Sequence, residues 1–206
     1  MYTKVDTRNE ITKKRRLISR EEFENDMKSF LQRLGHVFIQ TKEDYNNNLK
    51  FYPPDCRVRN FEASVLNASF VKNFNEIFPN KGKFGKYKRF IISLNGYILL
   101  FKKLDNKNMP MNVLTKNVDS INSQLSLNLF GDLDFGNEPI IYLGYKKDRF
   151  GTIGNLTFVY IDENKIKWTI DLNNDNLDSN SFIIKTPINE EPAPKVKAKL
   201  HKKKAQ

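Results

Sequence analysis

The chain has 206 residues, 39% of them apolar, which suffices for one domain of ordinary size with a single core and not for two. No run approaches the roughly 18 consecutive apolar residues of a membrane span, the opening MYTKVDTRNEITKKRR has no apolar segment behind it to make a signal peptide, and one cysteine, Cys56, excludes an intrachain disulfide, so a soluble, cytoplasmic protein is expected. Net charge is +11, with residues 1–20 carrying seven Lys/Arg against two acids and residues 191–206 six Lys against one, which leaves 11 − 5 − 5 = +1 for the interval 21–190.

In chain order, residues 1–18 read as a basic flexible arm, because KKRR is dense in like charge and no apolar period surrounds it. Such arms attract nucleic acid by counterion release, which makes Lys13, Lys14, Arg15 and Arg16 candidate phosphate contacts. A single domain is expected over 19–187. Its first helix begins at Ser19, where Glu22 stands at capping-box spacing, and Phe23, Met27, Phe30, Leu31 and Leu34 follow at helical intervals up to Gly35. HVFIQ then suggests a short strand, and TKEDYNNNLKFYPPDC an irregular connection broken by Pro53 and Pro54.

Val65, Leu66, Phe70, Phe74 and Ile77 form the stripe of a second helix over roughly 62–78, ended by Pro79. RFIISLNGYILLFKKLD is a hairpin about Asn95-Gly96, since both turn positions need positive φ. IIYLGYKKD is a further strand, and TFVYIDENKIKWTIDL a second hairpin with Phe158, Tyr160, Ile166, Trp168 and Ile170 as its buried face. SFIIK offers an edge strand at 181–185, and 188–206 is an extended Pro/Ala/Lys tail. The sum is an α+β domain: two N-terminal helices on a mainly antiparallel sheet built from two hairpins and additional strands.

Few residues suit catalysis. His36 sits at a helix boundary and His201 in the tail, so neither a hydrolase triad nor a Cys/His zinc site can be assembled. No phosphate-cradling glycine motif is present, and GKFGKYK lacks the hydroxyl that would hold magnesium. The carboxylates Asp132, Asp134, Glu138, Asp162 and Glu163 are what remain, with turn residues facing water as their plain reading. Glu163-x-Lys165 resembles the last piece of the PD-(D/E)xK nuclease motif, which implies acids on magnesium and a lysine steadying the phosphate or an attacking water. DLNNDNLD opens like a calcium loop but has Asn176 at its sixth position and Phe182 at its twelfth, so it reads as a polar turn and no cofactor is expected.

Two segments point to binding. In NKGKFGKYKRF, Lys81, Lys83, Lys86, Lys88 and Arg89 alternate with Phe84, Tyr87 and Phe90, the mixture of cations and aromatics by which proteins hold single strands. In QLSLNLF, three leucines alternate with polar residues, so an extended chain carries them on one side and Phe130 on the other, either toward its own core or toward a partner's groove. Gln124, Leu125, Leu127, Leu129 and Phe130 resemble the Gln-Leu-x-Leu-x-Leu/Phe peptide that many bacterial replication and repair proteins present to the sliding clamp, and that resemblance implies clamp binding.

These features suggest a non-catalytic nucleic-acid-associated binding protein, a replication or repair accessory of bacterial or phage type. Two alternatives stand beside it. One is a phage or plasmid inhibitor that binds a host protein through its neutral body; the other is a metal-dependent nuclease.

Overall fold

Ser19 accepts a hydrogen bond from the Glu22 backbone N–H and starts helix α1, Arg20–Leu49, a rod about 45 Å long. In this computed structural model the described residues are 13–85, 88–126, 137–149 and 151–172. The helix does not stop at Gly35. Leu31, Leu34, Phe38, Thr41 and Tyr45 continue one stripe across that position, and all are buried. A glycine inside a helix costs about 1 kcal/mol, whereas each large apolar side chain buried beyond it returns about 1.5–3 kcal/mol. The segment expected as a strand, and the expected connection as far as Leu49, are therefore the second half of α1, while the connection about Pro53 and Pro54 stands. Helix α2, Phe61–Ile77, runs back along it, as Arg33 donating to Ile77 O at one end and Tyr45 donating to Glu62 at the other require.

The two helices cover one face of a six-stranded sheet. Its strands are β2 Gly82–Phe84, β3 Phe90–Leu94, β4 Tyr97–Lys103, β6 Ile140–Lys147, β7 Ile153–Asp162 and β8 Lys165–Leu172, in the order β2-β3-β4-β6-β7-β8. Every neighbouring pair is antiparallel except β4–β6. Asn95 and Gly96 turn the first hairpin and Glu163 and Asn164 the second, all four with positive φ. Phe23 of α1 packs at ring-centroid distances of 5.1–5.2 Å against Tyr97, Phe158 and Trp168, which places the core between α1 and the sheet. Ile166 lies on the opposite face from Phe158, Tyr160, Trp168 and Ile170, because a bulge between Tyr160 and Ile161 shifts the register of β7 against β8.

That opposite face carries a second, smaller core of Ile91, Ile98, Leu100, Ile140, Tyr142, Val159 and Ile161. It is covered in part by helix α3, Lys116–Asn122, on the crossover between β4 and β6. Thr115 caps α3, the Tyr142 hydroxyl donates to Asn122 Oδ1 at 2.7 Å, and Asn164 donates to Asp119 Oδ1 at 2.6 Å. The Asp-Glu-Asn turn thus holds α3 as well as reversing the chain.

Residues 13–18 belong to the body rather than to a free arm. Strand β1, Lys13–Lys14, pairs antiparallel with β5, Leu125–Ser126, and Trp168 donates its indole N–H to Ile18 O. The strand expected at 181–185, the tail at 188–206 and the polar turn beyond Leu172 lie outside the described residues.

Candidate nucleic-acid interface

Helix α2 ends at Ile77, Asn80 adopts a φ of 64°, and the chain enters edge strand β2. Gly82 faces Ile92 of β3, and the Phe90 ring lies across it so closely that a Cβ on residue 82 would stand 2.2 Å from Phe90 Cζ. Phe90 packs edge-on against buried Phe74 at 5.8 Å, and Phe84 leans on Phe90 at 5.3 Å. The rings thus step outward from the core, and the last of them, Phe84, is 60% exposed.

Beyond Phe84, the Gly85 N–H donates to Arg89 O at 2.9 Å. Extending the Ile92↔Leu99 register by three residues on each strand sets Arg89 opposite Lys102 of β4. A groove of about 890 Å³ opens here between the outward side of α2 and the end of β4. Ser64, Asn67 and Val71 form its helical wall, Phe70 and Phe101, stacked 3.8 Å apart, lie at its base, and Phe84, Lys88, Arg89, Phe90 and Lys102 line the other side. Among the described residues no aspartate or glutamate lines it.

Its cations are poorly neutralised. Lys72 pairs with Asp44 at 3.0 Å, but Lys88, Arg89 and Lys102 have no carboxylate within ion-pair distance among the described residues. Burial pulls the Lys102 ammonium below its ordinary range, and the like charge of Arg89 adds to that fall. A phosphate entering the groove would relieve both effects. Lys81 and Lys83 are exposed but do not line the groove, while Lys86 and Tyr87 lie outside the described residues.

The cations at 13–16 are placed otherwise. Lys13 is exposed, but Lys14 pairs with Asp162 at 3.0 Å and with Glu163 at 3.6 Å. Arg15, only 2% exposed, donates to Leu125 O and Glu138 O, and Arg16 pairs with Glu22. Expected as phosphate contacts, Lys14, Arg15 and Arg16 thus also serve the fold's own acids and carbonyls, with Lys14 and Arg16 still part-exposed. Glu163 is shared between Lys14 and Lys167, which hold its carboxyl below the usual range. Among the described residues no three His, Cys, Asp or Glu side chains converge on a metal position; Asp132 and Asp134 lie outside them.

Gln124 is 1% exposed. Its amide donates to Ile140 O and Ile161 O at 2.8 Å each and accepts from Ile140 N at 2.9 Å. A clamp-type pocket would need this side chain, which is held between β6 and β7 instead. Leu125 is half-buried in β5, and Leu127, Leu129 and Phe130 lie outside the described residues.

Sequence reasoning missed Ser64, Asn67 and Lys102. Lys102 was within reach, since a two-residue turn at Asn95-Gly96 sets residue 89 opposite residue 102 by counting alone. The wall residues of α2 had no such signal, being small polar positions on a solvent-facing stripe. No protein-family model, no curated protein and no solved structure matches this chain.

Proposed function

We propose that this is a non-catalytic nucleic-acid-associated binding protein whose folded contact surface is the groove between α2, β2 and the end of β4. One observation carries the reading: Lys88, Arg89 and Lys102, without acidic partners among the described residues, converge on a groove free of acids that also presents Phe84. Cations so arranged gain most from a polyanion, because each phosphate they hold releases a counterion. The sequence places six further lysines in 191–206, which add non-specific attraction.

The test is fluorescence anisotropy of a labelled oligonucleotide across a salt series, comparing the native chain with Lys88→Gln/Arg89→Gln/Lys102→Gln. The slope of log affinity against log salt is expected to fall by about 2–3, at roughly 0.7–0.9 for each phosphate that the variant no longer holds. An unchanged slope would overturn the reading.

A further inference from the structure

We infer that the groove takes single-stranded rather than double-stranded nucleic acid, with a base stacked on Phe84 and the flanking phosphates held by Lys88, Arg89 and Lys102. This rests on the reading above and adds the state of the strand.

Three features carry it. The groove's volume of about 890 Å³ belongs to the range of small-ligand pockets, roughly 300–1,000 Å³, which is room for a few nucleotide units. Phe84 keeps 60% of its surface in water, with Phe90 supporting its inner side, and a ring so placed has a face to offer a base. Paired bases in a duplex already have both faces covered by their neighbours, whereas an unpaired base is free to stack. Lys102, half-buried at the end of β4, lines the same groove as Phe84, so a strand stacked on the ring brings its phosphates to the groove's cations.

The aromatic shelf is also built rather than accidental. A side chain at residue 82 would occupy the space of the Phe90 ring, so Gly82 permits the stack of Phe74, Phe90 and Phe84 that ends in solvent. Ser64 and Asn67, exposed on the facing wall, supply a hydroxyl and an amide able to meet sugar or base edges.

The experiment uses the full chain and an unstructured DNA of about 20 nucleotides, single-stranded or annealed to its complement, at about 0.1 M salt, where non-specific attraction is already weakened. The single strand is expected to bind at least about tenfold tighter than the duplex. Phe84→Leu should lose roughly 5- to 150-fold on the single strand, the range of one base–aromatic stack, with the salt slope unchanged. Phe84→Trp should keep the affinity, and its added emission, read against native protein containing Trp168 alone, should be quenched by the single strand and not by the duplex. Equal affinity for both forms, with no quenching and no loss in Phe84→Leu, would overturn the inference. If the triple lysine/arginine variant still lowered the salt slope in that case, the groove would remain a nucleic-acid site. If it did not, the underlying reading would fall as well.

Discussion

Replacing Gln124 with alanine removes a side chain that holds three backbone groups in a buried place. The pairing of β6 with β7 begins at Ile141↔Tyr160, and one step beyond it the Gln124 amide bridges Ile140 and Ile161. Its loss strips partners from Ile140 N, Ile140 O and Ile161 O. Each buried group left unpaired costs about 1–3 kcal/mol, and water entering the vacated space recovers part of that, so the expected loss is about 3–5 kcal/mol. A domain of this size has about 5–15 kcal/mol in all, so the variant should unfold at a much lower urea concentration with an unchanged m-value. Far-ultraviolet circular dichroism and Trp168 fluorescence should report the same transition. Gln124 also has a φ of 52°, so Gln124→Gly should be more stable than Gln124→Ala by about 1 kcal/mol, because glycine accepts that backbone without strain. A loss below about 1 kcal/mol for Gln124→Ala would refute the bridging role, since it would equal one ordinary exposed hydrogen bond.

Glu62 provides a pH test: hydrogen bonds from Lys147, then Arg57 and Tyr45, hold its carboxyl below the usual range against a smaller opposing effect of burial. A depressed carboxyl stabilises the fold above its unfolded pKa of about 4.3 and ceases to do so as pH falls through the folded value, so Glu62→Gln should be less stable near neutrality and converge with the native protein below about pH 4. The gap should stay below about 1 kcal/mol, since solvent screens this pair, and urea midpoints from pH 7 to about 3 would show it. Gly144→Ala would put a Cβ 2.3–2.4 Å from Cδ1 and Cγ of buried Leu104, and should cost about 1–3 kcal/mol by thermal melting, partly restored by adding Leu104→Ala. Gly82→Ala meets the half-buried Phe90 ring, which rests on Phe74, so stability should fall by about 1–3 kcal/mol by thermal melting while anisotropy records weaker single-strand binding as the shelf under Phe84 shifts.

Much of the fold was legible where the cause is local. The serine cap of α1, the stripe of α2 and the Asn95-Gly96 turn rest on contacts within a few residues, and each stands where the pattern puts it. Gly35 misled because a helix-weakening residue was weighed against its neighbours, without the burial that Val37, Phe38, Thr41 and Tyr45 find against α2 and the sheet. The parallel β4–β6 pairing leaves no local trace, since either orientation uses the same apolar runs. KKRR looked unpackable because its neutralising groups are remote: Asp162 for Lys14, and the carbonyls of Leu125 and Glu138 for Arg15. The candidate groove was half legible, its aromatic and basic segment being contiguous while its wall comes from a helix about twenty residues earlier.

The remoteness of those partners has a consequence for the order of assembly. Arg15 reaches Leu125 across 110 positions and Glu138 across 123, so the tie between β1 and β5 cannot form until most of the chain exists. At synthesis rates of about 5–20 residues per second, Arg15 waits roughly 6–25 s for its partners. Closing so long a loop costs about 2 kcal/mol more than closing one of about ten residues, which sets this tie after the two hairpins and the α1–α2 pair. For that interval Lys14 and Arg15 stand beside Lys13 without their partners, whereas Arg16 has Glu22 six residues along the chain. The nascent chain therefore carries two unneutralised cations at 14 and 15 until the segment that buries Arg15 has been made.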